Sequence, residues 1–464
     1  MEADLVIIGA GSGGYEAALY ARRRGMKVIL VELSPETVGG NCLNKGCIPS
    51  KFMRHGAYLI DKLSKMKQWG IFPTGYTFNF SHLKSERDKV IFTIRENFKK
   101  FAKTVNIPIV YGKGIVKDPH TVYVEGAGLT IKTRFILLAT GSKPISVGKL
   151  LPDGRRILDT DQIWNIEKIP SRILIVGGGA VGVEFAYIFK NYGCKVTLVE
   201  LRRRILPTDD IPEDSARYLG RKLRQIGVDI RTKTTVESYE EIPQGLQVKL
   251  TDGSELIVDL ILLAIGRRPN TEGIGLEDAG VEKDERGFVK VDSYSRTTVP
   301  GVYACGDITS PLMLAHKAMY EGKVAVSHML GENEWQRDPM IIPKIVYSAL
   351  EVASVGLTED QAEEEGYDVK VGVSSFVFNP KAMDDGENEG FVRIVVDEKS
   401  GKILGAHIVG PHAGELIHQV IHMIKGNLDI DMAVRSMYAH PSLSEAVGQS
   451  LSEIKYGSLT WTKR

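Results

Sequence analysis

Leu5-Val6-Ile7-Ile8, then Gly9-Ala10-Gly11-Ser12-Gly13-Gly14, then a helical stretch and Lys27-Val28-Ile29-Leu30-Val31-Glu32 open the chain. The order is apolar run, glycine turn, helix, second apolar run, acidic end. It returns as Ile173-Leu174-Ile175-Val176, Gly177-Gly178-Gly179-Ala180-Val181-Gly182 and Lys195-Val196-Thr197-Leu198-Val199-Glu200. The offset is 168 residues from Gly9 to Gly177 and again from Glu32 to Glu200. A lone G-x-G-x-x-G carries little, because glycine is common in loops. Here each turn follows a buried-looking strand, opens a helix, and precedes a strand-ending Glu by about 20 residues. Gly9 and Gly177 allow the tight turn, and Gly11 and Gly179 let a pyrophosphate approach the backbone. Gly14 and Gly182 let helix and strand pack closely. The helix mouth, with Ser12, Gly13, Ala180 and Val181, offers unpaired N–H groups and a partial positive charge to phosphates. Glu32 and Glu200 can accept from ribose hydroxyls. Two bound dinucleotides are the expectation, rather than two α/β units without ligand.

Each half closes alike. Phe135 to Leu138 runs into Ala139-Thr140-Gly141-Ser142-Lys143-Pro144, and Leu260 to Leu263 into Ala264-Ile265-Gly266-Arg267-Arg268-Pro269. Gly9 and Gly141 are 132 residues apart but Gly177 and Gly266 only 89, so the first half carries 43 extra residues. Most should lie between Glu32 and about Lys103, where Cys42 and Cys47 sit. The 464 residues predict about three domains. With 59 basic and 58 acidic residues, nothing points to nucleic acid or an anionic membrane as a partner. No apolar run approaches the ~18 residues that span a bilayer. The acidic start Met1-Glu2-Ala3-Asp4 reads as no targeting segment, and four cysteines are too few for a disulfide framework. Cytoplasm is the expected compartment.

Gly39-Gly40-Asn41-Cys42-Leu43-Asn44-Lys45-Gly46-Cys47-Ile48-Pro49-Ser50-Lys51 is the most specific segment. Zinc would need two more ligands at suitable spacing, and Cys194 and Cys305 stand alone as expected core residues. His418 and His422 lie four apart on a predicted helix with no third ligand, so a helix face is the reading and no metal is expected. The C-x-x-x-x-C segment resembles the active-site signature of the pyridine nucleotide-disulfide oxidoreductases, nearest to the dihydrolipoamide dehydrogenases. The fold this implies is α/β: two Rossmann-like dinucleotide-binding domains plus a C-terminal α+β dimerisation domain. Residues 1–150 and 271–340 would bind FAD, 151–270 NAD, and 341–464 would form the homodimer interface. Within that last part, Phe391 to Val396 and Ile403 to Val409 read as an antiparallel hairpin.

The same resemblance implies the site. Cys42 exchanges with substrate, and Cys47 faces the flavin as the thiolate, at a helix N-terminus that lowers thiol pKa. Lys51 lies near flavin N5 and pairs with Glu184 of Gly182-Val183-Glu184. In Tyr438-Ala439-His440-Pro441-Ser442-Leu443-Ser444-Glu445, His440 is the acid/base and Glu445 orients it, against the cysteines of the other subunit. Asp307, in Cys305-Gly306-Asp307, binds the ribityl chain rather than merely capping a helix. Ala315 opens the helix facing the flavin pyrimidine. Gly40, Asn41, Gly114, Thr140, Gly141 and Gly266 complete the expected cofactor contacts. Glu200 favours NAD, because a carboxylate repels a 2′-phosphate. Arg202, Arg203 and Arg204 keep NADP open, although the glutathione reductase pattern puts its phosphate-binding arginines where this chain has Leu201 and Pro207. The departures are Asn41 for Thr, Tyr438 for His, Leu350 for Pro and Lys381 for Arg. The implied reaction oxidises a dihydrolipoyl group on a lipoyl-carrying protein with NAD⁺, through FAD and the Cys42–Cys47 disulfide. The alternatives are an NAD(P)H-dependent reductase of glutathione or coenzyme A disulfide, and a non-catalytic scaffold.

Overall fold

The structure, a computed structural model, describes residues 1–146, 148 and 150–457. β1 (Glu2–Ile8) is buried from Leu5 onward, and α1 (Ser12–Arg23) returns the chain to β2 (Val28–Glu32), parallel to β1 with Leu5 opposite Val28. The 43-residue excess appears here as α2 (Gly40–Lys45), α3 (Cys47–Lys65) and α4 (Phe80–Thr104). Asn79 caps α4 by accepting from the His82 N–H at 2.9 Å. β3 (Ile109–Tyr111) then pairs parallel with β2, while β4 (Lys113–Asp118), β5 (Thr121–Glu125) and β6 (Leu129–Leu138) form an antiparallel run. The second half of β6 lies parallel to β1. The chain leaves through β7 (Ser142–Pro144).

The second unit repeats the first without the insertion. Its sheet is built from β8 (Ile157–Asp159), β9 (Arg172–Val176), β10 (Lys195–Glu200), β11 (Asp229–Thr232) and, after a three-stranded antiparallel sheet, β15. α5 (Ala180–Asn191) and α6 (Glu213–Gln225) connect these strands. The small sheet holds β12 (Val236–Ile242), β13 (Gly245–Leu250) and β14 (Glu255–Val258), and β15 spans Leu260–Leu263. β16 (Arg267–Pro269) pairs antiparallel with β7, which ties the closing turns of the two units together. β17 (Val302–Ala304) then rejoins the first sheet beside β6, and α7 (Ala315–Met329) packs on α1. The packing is close enough to require glycine: a Cβ on Gly322 would lie 2.8 Å from the Gly13 carbonyl oxygen.

The last unit is an antiparallel sheet in the order β18-β19-β22-β21-β20, from β18 (Lys344–Tyr347), β19 (Glu351–Gly356), β20 (Val369–Ser375), β21 (Phe391–Asp397) and β22 (Ile403–Gly410). α8 (Glu359–Glu364) and α9 (Pro380–Asp384) lie in its connections, and α10 (Ala413–Lys425), α11 (Ile430–Ala433) and α12 (Glu445–Tyr456) come after it. All eight residues of β22 are buried. Two Rossmann-like units and a terminal α+β unit are therefore the architecture. No helix among the described residues is long and apolar enough to cross a membrane.

Candidate active site

The two glycine turns line one cavity of about 2060 Å³, beyond the roughly 300–1,000 Å³ of ordinary small-molecule pockets. They are built alike. Gly9 and Gly177 take φ of +107° and +108°, conformations that cost glycine little and other residues much. Glu32 accepts from the Ala10 N–H at 2.7 Å, and Glu200 from the Gly178 N–H at 2.6 Å. Glu32 also accepts from the Thr37 hydroxyl and the Leu33 N–H, and burial pushes its carboxyl pKa up. Both carboxylates, Gly11, Ser12, Gly13, Gly179, Ala180 and Val181 border the cavity. Gly14 and Gly182 lie behind this lining. A Cβ on either would lie 1.9 Å from the carbonyl oxygen of Gly9 or Gly177, so both let helix and strand pack closely.

Cys42 lies in α2 and Cys47 is the first residue of α3, with Gly46 making the break between the helices. Cys42 is half-buried and Cys47 is exposed to the cavity. Interaction with the Cys47 thiol lowers the Cys42 pKa to about 7. Desolvation opposes this, and the Ser12 hydroxyl, the Cys47 N–H and the Lys51 charge assist. The same interaction and desolvation hold the Cys47 thiol up, while the Lys51 charge acts the other way. Its side chain is open to the cavity. The two thiols act as one interacting pair, and the resemblance puts the thiolate of the reduced enzyme on Cys47.

Lys51, one turn into α3, donates to Glu184 of α5 at 2.6 Å. The second Glu184 oxygen accepts from the Tyr347 N–H at 2.9 Å, and the Lys51 ammonium lies 4.5 Å from the Tyr347 ring centroid. One carboxylate thus joins the inserted helix, the second unit and β18. α3 is held there by Tyr192, whose hydroxyl donates to the Met53 carbonyl at 2.6 Å.

A further polar chain, which sequence reasoning missed, centres on Ser142. Its hydroxyl donates to Asp307 at 2.6 Å and accepts from Arg267 Nε at 2.9 Å. Its carbonyl accepts from Asn41 at 2.6 Å. Arg267 also holds Asp161 at 2.8 Å, and the Trp164 indole donates to the Lys45 carbonyl at the end of α2. The turn carrying Asp307 is braced by buried Glu321, which accepts from the Gly306 N–H at 2.8 Å and pairs with Arg337 at 2.6 Å. Asp307, Ala315, Gly40, Asn41, Gly114, Thr140, Gly141 and Gly266 all border the cavity. Cys194 and Cys305 are buried, with Cys194 pushed up to about 12 by burial.

His440 and Glu445 are brought together but not to the cysteines of the same chain, and neither borders the cavity. His440 Nδ1 lies 2.9 Å from Glu445 Oε1, and the Ser442 N–H donates to Glu445 Oε2 at 2.8 Å. Those two bonds, the backbone one foremost, hold the Glu445 pKa below the usual carboxylate range. The pairing places the ring proton on Nδ1 and leaves Nε2 to accept. The His440 side chain is 68% exposed.

Residues 3–322 match the pyridine nucleotide-disulphide oxidoreductases, and residues 342–451 match that family's dimerisation domain. The chain belongs to this family. The dihydrolipoyl dehydrogenase of Thermus scotoductus is 38% identical over 453 residues, which cover 96% of this chain and 95% of that one. A dihydrolipoyl dehydrogenase of Bacillus subtilis is 34% identical, with 97% of each chain covered. LpdA from Mycobacterium tuberculosis superposes with a TM-score of 0.90 at 26% identity, covering 97% of this chain and 99% of that one. The HOCl-induced flavoprotein disulfide reductase RclA from Escherichia coli gives 0.86 at 29%, covering 97% and 99%. As a family member, the chain is a flavoprotein disulfide oxidoreductase using FAD and NAD. The residues present fit two dinucleotides. Each turn has its own amide-bound carboxylate, and a Cβ on Gly179 would meet nothing within 4 Å, so the backbone there is open to a pyrophosphate. Among the described residues no cluster of three metal-ligating side chains occurs.

Proposed function

We propose that this chain is a dihydrolipoyl dehydrogenase, oxidising a dihydrolipoyl group on a carrier protein and passing the electron pair to NAD⁺. The observation that carries the reading is the placement of Cys42 and Cys47 on either side of the α2–α3 break, both bordering the cavity that both glycine turns line. The relatives' name supplies the substrate class. We assign the first turn, Glu32, Asp307 and Ala315 to FAD in residues 1–150 and 271–340. The second turn, Glu200 and Gly266 go to NAD in 151–270, and residues 341–464 to the interface. NAD over NADP is supported by Arg203 and Arg204 being committed elsewhere, the one to Glu213 and the other to the Leu206, Thr208 and Ile211 carbonyls.

A homodimer is supported by the matched dimerisation domain and by an exposed apolar patch on either side of the bond that the Trp69 indole donates to the Asp384 carbonyl, with Leu59, Trp69 and Phe72 on one side and Val377, Phe378 and Met383 on the other. Asn379 ties this patch to the His440 loop through the Ser442 carbonyl at 2.9 Å. A second copy covering the patch would meet that loop. We therefore assign His440 of one subunit to the cysteines of the other. A protein working through free thiols fits a reducing compartment, and we place it in the cytoplasm.

In the exchange, His440 Nε2 takes the proton of one substrate thiol, and the thiolate attacks Cys42. The Cys42–Cys47 bond breaks and its electron pair stays on Cys47. The second substrate sulfur, deprotonated in turn, attacks the first and expels Cys42, which leaves a cyclic disulfide and a reduced enzyme pair. FAD, held by the first turn, Glu32 and Asp307, would supply the electron acceptor for the reduced pair and the donor to NAD⁺. Lys51, charge-balanced by Glu184, would keep a cation in that part of the cavity. Anaerobic titration with dihydrolipoamide should give a long-wavelength thiolate–flavin absorption band, then NADH on adding NAD⁺. His440→Gln should lose roughly 10²–10⁴-fold in dithiol turnover with flavin content intact. Parental lipoamide turnover by that variant would remove His440 from the scheme. Reduction of glutathione disulfide by NADPH in place of lipoamide chemistry would replace the substrate assignment.

A further inference from the structure

Tyr438, two residues before His440, lays its ring across Gly448 in α12. A Cβ on Gly448 would lie 2.5 Å from Tyr438 Cε2 and 2.6 Å from Cδ2, so the ring fills the slot that the missing side chain leaves. α12 begins with Glu445, the residue that holds His440 Nδ1. The contact therefore closes the 438–448 segment at one end while the His440–Glu445 bond closes it at the other. On the C-terminal side the loop has further ties: Asn379 to the Ser442 carbonyl, and Gln419 to the Ser444 hydroxyl at 2.8 Å. On the N-terminal side it has none of this kind. Among the described residues, 437–441 make no hydrogen bond besides that of His440, and Met437 is 98% exposed. The Tyr438 hydroxyl is buried without a partner, so the ring and not the hydroxyl makes the attachment.

We propose that Tyr438 is a positioning residue for His440. Its ring, seated on Gly448, fixes the chain just before the imidazole. Nδ1 then meets Glu445, and Nε2 is left aimed outward to accept a proton. This rests on the role given to His440 above. A general base must be held within bonding reach of the proton it takes, and displacements near 1 Å cost about 100-fold. An added methyl at position 448 would lift the ring and with it the loop.

The test uses the flavin-loaded enzyme and five variants. Tyr438→Phe keeps the ring and should keep dihydrolipoamide turnover and its pH profile. Gly448→Ala should lose about tenfold or more in kcat for dihydrolipoamide, with the profile's His limb shifted. Its FAD content and its NADH-driven reduction of ferricyanide, which need no base, should be unchanged. Adding Tyr438→Ala to Gly448→Ala should bring kcat back to that of Tyr438→Ala alone, because the methyl then has room. If Gly448→Ala does not fold, Tyr438→Ala decides: a lowered kcat with a shifted profile supports the proposal. A parental kcat and profile in Tyr438→Ala, or a double variant that falls well below Tyr438→Ala alone, overturns it. His440→Gln separates the two claims. If it is inactive while Tyr438→Ala is parental, only the positioning claim falls; if it is active, the reading beneath falls too.

Discussion

The two glycine turns differ less in themselves than in the path the chain takes beyond them. Both use a positive-φ glycine against the closing strand, with a hypothetical Cβ 2.3 Å from the Ala139 oxygen in one and 2.4 Å from the Ala264 oxygen in the other. Both seat a carboxylate on the second turn amide. After Glu200 the chain folds back on itself, with Arg204 donating to its own loop's carbonyls. After Glu32 it runs forward instead, laying Gly39 beside Gly11 as an isolated bridge and Gly40 against it, and delivers Cys42 to the Ser12 hydroxyl. On the assignment proposed above, the duplication supplies two nucleotide seats and the inserted helices bring the cysteine pair to one of them.

Breaking the seats separately is the strongest test. Gly14→Ala and Gly182→Ala each force a methyl to within 1.9 Å of backbone oxygen, which neither helix nor strand can yield without moving. Gly14→Ala should purify without flavin and be inactive in every assay. Gly182→Ala should keep flavin that dihydrolipoamide can still bleach, but form no NADH. Flavin absorbance and NADH formation read both outcomes. Loss of flavin from both variants would mean that the seats are not separable.

The repeat was legible because its signal is local: strand pattern, glycines and acidic end lie within 30 residues. The Lys51–Glu184 pair was legible only by resemblance, since 133 residues separate the partners. Tyr347, Ser142 and Asp161 were not legible, because their roles arise where separate units meet. Arg267 was within reach. In β16 it is half-buried while Arg268 is exposed and pairs with Glu272, and strand alternation in Gly266-Arg267-Arg268-Pro269 already distinguishes the two. The slot under Tyr438 depends on a single helical glycine that no pattern marks.

A smaller effect concerns the cysteine pair that the insertion brings to the first seat. With the Cys42 pKa near 7 instead of the ordinary 9.0, the reduced enzyme should be alkylated at Cys42 with a midpoint near pH 7. Below it the thiol is protonated and the rate falls about tenfold per pH unit; above it the rate levels off. Removing the partner thiol by Cys47→Ala should move the midpoint upward, toward 9.0, because interaction with Cys47 is the largest lowering influence. Cys194, pushed up to about 12 by burial, should stay unmodified throughout. A midpoint that ignores Cys47→Ala would mean that the helix terminus, not the partner thiol, sets the acidity.

The finest comparison is between the two middle glycines. Gly11 and Gly179 both cap their helices with extended backbone, φ −73° and −69°, which alanine adopts without strain. A Cβ on Gly11 would touch Gly40 Cα at an ordinary 3.6 Å, and one on Gly179 would touch nothing. Neither methyl harms the protein itself, so any effect belongs to the ligand whose phosphates approach there. Gly179→Ala should melt at the parental temperature without nucleotide yet bind NAD about tenfold more weakly, a cost near 1.4 kcal/mol. Gly11→Ala should melt lower, because weaker FAD binding withdraws the stability that a resident ligand lends the folded state. Melting curves with and without added NAD and FAD distinguish the pair. Parental NAD affinity in Gly179→Ala would mean that the pyrophosphate does not lie against this turn.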